Sequence, residues 1–222
     1  MYSIYGDLES EGNMNNYVIT IGRQAGSGGS ILGRNLAKHF GFHYIDKDLI
    51  KKAAEELNVP EEELARMDEK ESIADRLLLQ TGGYPMAYMS EDWKTSTGED
   101  VFKTESKLIR QAAEQASCVV VGRCGSFLFT GYEKHISLFL YAEEEARARR
   151  LGGHLGMADE KTIKMIRKLD KERARYVRTY TGQEWQDPTS YDLTIDTEKL
   201  DDQQLMDVAI HYICCRFPEL KK

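Results

Sequence analysis

Residues 17–30 have the sequence Tyr17-Val18-Ile19-Thr20-Ile21-Gly22-Arg23-Gln24-Ala25-Gly26-Ser27-Gly28-Gly29-Ser30. The β-branched and aromatic run that ends at Ile21 predicts a short buried strand. A glycine-rich turn follows, and then apolar residues at helical spacing, which predict a helix capped by Ser30. Strand, glycine loop and helix are the setting of a phosphate-binding loop, because backbone N–H groups and the helix dipole then face an anion.

The loop departs from the Walker pattern, which is Gly, four residues, and then Gly-Lys-Ser/Thr. Five residues separate Gly22 from Gly28, and Gly29 stands where the lysine is expected. The backbone cradle is retained while the lysine charge is missing, and Arg23 and Arg34 are the nearby cations that could replace it. A strand–helix turn without a ligand is the alternative, although its glycines are costly unless something approaches the backbone.

The composition fits one α/β domain with an inserted helical lobe. The chain has 222 residues, a net charge of −7 and 41% hydrophobic residues, a balance that argues against a nucleic-acid partner. No apolar run approaches the roughly 20 residues that span a membrane. Residues 1–16 lack the apolar core of a signal peptide and are expected to form a flexible tail. The four cysteines lack metal-ligand spacing, so we expect reduced thiols in a cytoplasmic protein.

Further apolar runs predict the remaining strands at residues 42–45, 118–121, 135–141 and 191–197. The first two strands are one βαβ unit apart, which favours a parallel sheet. Asp46 and Arg123 each follow a strand, at the edge where open α/β sheets bind ligands. The fork of Arg123, held between glycines, suits a phosphate. An arginine paired to an acidic neighbour for packing is the alternative.

The rest of the chain is predicted to be largely helical. Residues 49–80 favour helix, residues 81–100 form a long irregular stretch, and a helix over 101–116 returns to the sheet. A helix from residue 143 is expected to break at Gly152 and Gly153, with a second helix over 159–180 and a last one over 201–217.

Arginines are concentrated on the two helices around that glycine break. They are Arg147, Arg149, Arg150, Arg167 and Arg173. This composition is typical of a lid that clamps phosphates over a nucleotide. A solvated basic face is the alternative.

Five segments together resemble the cytidylate kinase-like family of P-loop nucleotide kinases and, more distantly, bacterial cytidylate kinase. They are Gly22-Arg23-Gln24-Ala25-Gly26-Ser27-Gly28-Gly29, Tyr44-Ile45-Asp46-Lys47, Val119-Val120-Val121-Gly122-Arg123, Asp170-Lys171-Glu172-Arg173-Ala174-Arg175-Tyr176 and Tyr191-Asp192-Leu193-Thr194-Ile195-Asp196-Thr197. The resemblance implies a three-layer α/β/α P-loop fold with a five-stranded parallel sheet. It also implies a helical insert near residues 50–115, an arginine lid near 142–180, and ATP and Mg²⁺ acting on a nucleoside monophosphate.

The resemblance also assigns roles to residues. The phosphate-binding set is Gly22, Arg23, Gly26, Ser27, Gly28, Gly29 and Ser30, with Ser30 also expected at the metal. Arg123 would meet the acceptor's phosphate, and Arg173 would neutralise the transferring phosphoryl group. Asp170 would recognise the acceptor or orient the lid, and Asp46 and Arg147 complete the expected catalytic set.

Two departures from cytidylate kinases leave the acceptor open. The loop lysine is absent, and residues 47–51 read Lys-Asp-Leu-Ile-Lys where those enzymes carry Ser-Gly-Ala-Ile-Tyr-Arg. We favour a kinase of a CMP-like acceptor or another small molecule. A non-catalytic nucleotide-binding protein and a structural role are the other hypotheses, and a homodimer is left open. Convergence of Arg147, Arg167 and Arg173 with Arg123 on one cleft would favour catalysis.

Overall fold

A computed structural model describes residues 15–46, 98–155 and 159–221. In order, the helices and strands are β1 (Val18–Arg23), α1 (Gly29–Phe40), β2 (His43–Ile45), α2 (Gly98–Gln115), β3 (Cys118–Val121), α3 (Gly125–Leu128), β4 (His135–Tyr141), α4 (Glu144–Leu155), α5 (Asp159–Thr181), β5 (Leu193–Asp196) and α6 (Asp202–Arg216). Single 3-10 turns lie at Pro188–Ser190 and Pro218–Leu220. The predicted insert falls largely outside the described residues. The helix predicted over 49–80 and most of the irregular stretch predicted over 81–100 also lie outside them.

The five strands form one parallel sheet in the order β2-β3-β1-β4-β5. Strand β1 is central, because Val18 pairs with Cys118 of β3 on one side and with His135 of β4 on the other. A parallel strand covered on both faces is buried along its length, and β1 and β3 accordingly show no alternation of buried and exposed residues. The chain turns in opposite directions on the two sides of β1, so a crevice opens at the carboxyl ends of the central strands.

Helices cover both faces of the sheet and complete the three layers. On one face, Leu36 of α1 and Ile213 of α6 pack on residues such as Ile21. On the other, Ile109 of α2 and Leu128 of α3 pack on residues such as Val120. The predicted α/β/α architecture with a five-stranded parallel sheet is therefore confirmed.

Helix α4 packs along α5 beside the glycine loop. Ala148 and Leu151 of α4 contact Ile166 and Leu169 of α5, and Ala25 of the loop joins this cluster. The expectation that α4 ends at its glycines is wrong, because the helix continues to Leu155. Each glycine costs a helix only about 1 kcal/mol, and burial against α5 outweighs that cost.

Two further boundaries differ from the sequence predictions. Helix α2 begins at Gly98, inside the stretch expected to be irregular. The Nδ2 of Asn16 donates to the carbonyl oxygens of Ala113 and Glu114, at 3.0 and 2.9 Å. The last residues of the predicted tail are thus attached to the domain, and residues 1–14 lie outside the described part of the chain.

All four cysteines are free thiols, as expected. Burial raises the pKa of Cys118 and of Cys124 to about 12, so both are protonated near neutral pH. Among the described residues, no helix has both the length and the apolar character needed to cross a membrane.

Candidate functional site

The glycine loop joins β1 to α1 without a side-chain cap. Gly28 is the N-cap residue, with a φ of 90° that favours glycine, and no side chain accepts from the first helical N–H groups. The predicted capping role of Ser30 is therefore wrong, since the helix begins at Gly29 and Ser30 is a buried residue of its first turn. The first N–H groups of a helix have no acceptor within that helix, so they remain able to bind an anion at this end.

The carbonyl oxygens of the loop are bound by side chains from two helices and from the residue after β5. Arg173 donates to the carbonyl oxygen of Arg23 at 2.9 Å, and Arg147 donates to that of Ala25 at 3.0 Å. Arg150 donates to Gly26 at 2.9 Å. Within the loop itself, the hydroxyl of Ser27 donates to the carbonyl oxygen of Gln24 at 2.8 Å. The hydroxyl of Thr197 donates to the carbonyl oxygen of Ser27 at 3.1 Å. These contacts hold the loop backbone in one orientation.

Asp170 connects α5 to the loop and to α4. One carboxylate oxygen accepts from the N–H of Ala25 at 2.7 Å, and the other lies 2.6 Å from Nη1 of Arg147. Arg147 also donates to the carbonyl oxygen of Ala142 at 2.9 Å and is 5% exposed. Both side chains therefore contact the loop backbone and each other, an arrangement that suits positioning.

Three arginines line one cleft at the carboxyl ends of β1 and β3. They are Arg23, Arg123 and Arg173, and the remaining wall includes Tyr176, Trp185 and Tyr191. The guanidinium groups of these arginines offer several N–H donors to the oxygens of a phosphorylated ligand. Convergence of Arg147, Arg167 and Arg173 with Arg123 was the arrangement expected to favour catalysis, and Arg123 and Arg173 are the two of these four that line the cleft.

The other arginines of the predicted lid do not line this cleft. Arg147 and Arg150 hold the loop backbone, and Arg167 forms an exposed ion pair with Glu144 at 2.6 Å. Convergence therefore involves one residue of that arginine set, Arg173, together with Arg123 and with Arg23 of the loop itself.

Arg123 is held by an acidic neighbour as well as facing the cleft. Its guanidinium lies 3.0 Å from Glu105 of α2, and both side chains are buried. The Tyr176 hydroxyl donates to Glu105 at 3.1 Å, and its ring lies under the guanidinium. The alternative considered for this arginine, pairing with an acid, is thus present, and Arg123 lines the cleft as well.

The turn after β3 has an unusual backbone. Gly122, Arg123 and Cys124 have φ values of 80°, 52° and 54°, all in the left-handed region. Non-glycine residues there cost of order 1 kcal/mol each, and such conformations cluster at functional sites. No sequence pattern marked this turn beyond its glycines.

Asp46 directly follows β2, and β3 separates that strand from β1 in the sheet. Asp46 is not among the described residues that line the cleft. Its charge lies close enough to Tyr44 to act on it: burial raises the pKa of Tyr44 above its usual value, and the carboxylate of Asp46 raises it further.

Gly22 lines the cleft, where a Cβ would meet the rings of Phe139 and Tyr191 at 2.8 and 2.9 Å. That glycine therefore allows aromatic packing on β1.

Sequence reasoning missed the partners of the predicted residues. Glu105 had no motif to mark it as the partner of Arg123. Arg150 was expected in the lid and Thr197 lies in a segment that resembles the family, but their bonds to the loop backbone were not predicted. In the described part of the chain, no three His, Cys, Asp or Glu side chains group closely enough to hold a metal ion.

Comparison with known proteins identifies relatives along most of the chain. A sequence model of the cytidylate kinase-like family matches residues 18–199. A protein named cytidylate kinase from Thermococcus kodakarensis is 29% identical over 182 residues, which cover 81% of this chain and 79% of that protein. Another of that name, from Methanopyrus kandleri, is 24% identical over 200 residues, which cover 86% of this chain and 90% of that one.

Solved structures share the fold. An uncharacterized protein from Eubacterium ventriosum is 24% identical, with a TM-score of 0.67 over 89% of this chain and 98% of that one. A gluconokinase from Sinorhizobium meliloti is 16% identical, with a TM-score of 0.54 over 93% of this chain and 96% of that one. At these identities the likeness extends to the fold alone.

Proposed function

Because the chain belongs to the cytidylate kinase-like family, we propose that it transfers the γ-phosphoryl group of ATP to a nucleoside monophosphate, with CMP as the favoured acceptor. The observation that carries this proposal is the convergence of Arg23, Arg123 and Arg173 on one cleft beside the glycine loop. Phosphoryl transfer depends mainly on positioning and charge stabilisation, and arginines supply both. The relatives named cytidylate kinase support the choice of acceptor.

The loop fits a nucleotide polyphosphate. Its carbonyl oxygens are engaged by Arg173, Arg147, Arg150 and Thr197, and the uncapped N-terminus of α1 begins at Gly29. Residues 26–30 would hold the phosphates through backbone N–H groups, and the hydroxyl of Ser30 would contact Mg²⁺. ATP supplies the transferable phosphoryl group, and Mg²⁺ neutralises part of its charge.

The cleft arginines divide the remaining work. We assign Arg123 to the acceptor's phosphate, because Glu105 fixes its guanidinium in the wall of the cleft. Arg173 neutralises the charge that develops during transfer, and its Nη1 already contacts the backbone of the loop. Asp170 and Arg147 are positioning residues that hold α5 and α4 against the loop. Asp46 contributes from the neighbouring strand end, on the acceptor side.

The missing loop lysine favours a second hypothesis, that the protein binds a nucleotide without catalysis. Gly29 occupies the lysine position, so the usual source of positive charge on the β- and γ-phosphates is absent. A kinase of a non-nucleotide small molecule is a third hypothesis. Both differ from the first in a single measurable property, which is turnover that depends on a nucleoside monophosphate.

The test is release of ADP from Mg-ATP with CMP, dCMP and UMP, after subtraction of the rate without acceptor. We expect acceptor-dependent turnover that is highest with one of the cytidine nucleotides. Replacement Arg173→Ala should lower kcat by about a hundredfold or more and change the KM for ATP much less, because the interaction strengthens in the transition state. The matched control is Arg175→Ala, an exposed arginine on the same helix, which should leave kcat within about twofold.

Two results would count against this proposal. If the protein binds ATP but turns over none of the nucleoside monophosphates tested, the result would favour the non-catalytic or the non-nucleotide hypothesis. Equal kcat values for Arg173→Ala and Arg175→Ala would remove Arg173 from its assigned role.

A further inference from the structure

The loop matches the Walker pattern at every constrained position except two. When Gly28 is placed on the second glycine of that pattern, Ser30 falls on its Ser/Thr. Arg23 then stands where the pattern has its first glycine, and Gly29 stands where it has lysine. A glycine and a cation have therefore exchanged places, six positions apart.

The side chain of Arg23 occupies the space that Gly29 leaves open. A Cβ built on Gly29 would lie 2.7 Å from Cγ of Arg23 and 2.8 Å from its Cβ. Carbon atoms in folded proteins do not approach so closely, so any side chain at position 29 would displace the stem of Arg23. The glycine is thus required by the arginine that crosses it.

The guanidinium end of the same side chain reaches Gly122, just after the carboxyl end of β3. A Cβ built on Gly122 would lie 2.0 Å from Nη1 of Arg23. Arg23 is 8% exposed and lines the cleft together with Arg123 and Arg173. Gly29 at the start of α1 and Gly122 after β3 therefore make room for one arginine, and its guanidinium lies with Arg123 and Arg173 in the lining of the cleft.

The competing cation, Arg34, lies elsewhere. Its side chain is exposed on α1, and its guanidinium carbon is 5.4 Å from the centre of the Tyr44 ring. It is absent from the described residues that line the cleft. Arg23 is also fixed through its backbone, since its carbonyl oxygen accepts from Arg173 at 2.9 Å.

We propose that Arg23 replaces the missing loop lysine, supplying its positive charge to the nucleotide phosphates from the first position of the loop across Gly29. This inference rests on the proposed function, because it requires a bound nucleotide. A guanidinium differs from an ammonium in presenting a planar fork of donors. Arg23 would therefore contact phosphate oxygens through two N–H groups where lysine offers a point charge.

The test is the dissociation constant of Mg-ADP, measured by titration calorimetry on the full chain. Arg23→Met keeps an apolar stem over Gly29 and removes the charge, and Arg23→Gly removes both. We expect each to weaken ADP binding by about tenfold to a hundredfold, the range for a lost charged hydrogen bond. The matched control is Arg34→Met, which should change the constant less than about twofold.

The exchange itself is tested by restoring the ordinary pattern. Gly29→Lys alone should weaken ADP binding, because the new side chain meets Arg23. The double variant Arg23→Gly/Gly29→Lys has the complete Walker pattern, and we expect it to bind ADP within about tenfold of the parent and more tightly than either single variant. Circular dichroism melting of each variant shows whether it is folded at the temperature of the titration.

The outcomes separate this inference from the proposed function. A parent protein that does not bind ADP overturns both. Suppose that the parent binds ADP. If Arg23→Met then leaves the dissociation constant unchanged, or if Arg34→Met is the variant that weakens binding, the role of Arg23 is overturned and the proposed function stands. A double variant no better than Arg23→Gly overturns the exchange of positions.

Discussion

Arg123 lines the cleft and forms a buried ion pair with Glu105, with 3.0 Å between Nη2 of Arg123 and Oε1 of Glu105. Removing two charges from water is costly, and the pair offsets that cost only while both partners are present. Tyr176 adds a hydrogen bond to the carboxylate. The residue that fixes Arg123 in the cleft is thus a glutamate on α2, outside every motif in the sequence.

Replacing that glutamate should destabilise the fold. Glu105→Gln leaves the guanidinium of Arg123 buried without its counter-charge, and we expect the free energy of unfolding in urea to fall by about 3 kcal/mol. Glu114→Gln changes an exposed glutamate of the same helix and should stay within about 0.5 kcal/mol of the parent. Equal unfolding free energies for the two variants would show that the pair contributes nothing to stability.

For single residues, the sequence predicts functional candidates that lie next to glycines, such as Arg123, but it does not predict the side chains that bind them. Arg123 was identifiable because it follows a buried strand between Gly122 and Gly125. Glu105 lies among polar residues of an amphipathic helix, and its burial depends on a contact that only the folded chain creates. Asp170 was identified through a resemblance, while its bond to the N–H of Ala25 had no local pattern.

Among the elements, the glycine loop is distinguished by how many others hold it. Side chains of α4, α5 and the residue after β5 bind its carbonyl oxygens. Arg150 of α4 spans two of these elements, since it donates to the carbonyl oxygens of Gly26 and of Thr197, each at 2.9 Å. Burial lowers the pKa of Arg150, although an arginine remains charged at ordinary pH.

Removing this connection should loosen the loop. Arg150→Ala deletes three hydrogen bonds from a charged donor, and we expect it to lower the free energy of unfolding by about 2 kcal/mol. Its neighbour Arg149 is exposed, so Arg149→Ala should have an effect within about 0.5 kcal/mol. Urea denaturation of the two variants gives the comparison, and a loss confined to Arg149→Ala, or shared equally, would contradict this account of the loop.

Element boundaries were predictable where local chemistry sets them. Gly41 ends α1 with a φ of 73°, as its position after the last apolar residue predicted. Gly152 lies inside α4 because packing against α5 outweighs its low helix propensity. Ser30 is not a cap, because the left-handed Gly28 starts the helix two residues earlier than a cap at Ser30 would.

For the whole molecule, the parallel sheet and its two helical layers followed from apolar runs separated by helical segments. The strand order β2-β3-β1-β4-β5 was not predicted, because pairing between strands far apart in sequence leaves no local pattern. That order places the ends of β1 and β3 side by side, and so brings Arg23 and Arg123 into one cleft. The functional proposal depends on this adjacency more than on any single motif.

The most direct test of the central claim is the fate of the γ-phosphoryl group itself. The protein is incubated with γ-³²P-labelled ATP, Mg²⁺ and CMP, and the products are separated by thin-layer chromatography. This account predicts that label moves from ATP into CDP, and that Arg173→Ala forms labelled CDP at least about a hundredfold more slowly. Label that stays in ATP, or that appears only as inorganic phosphate with every nucleoside monophosphate tried, would contradict it.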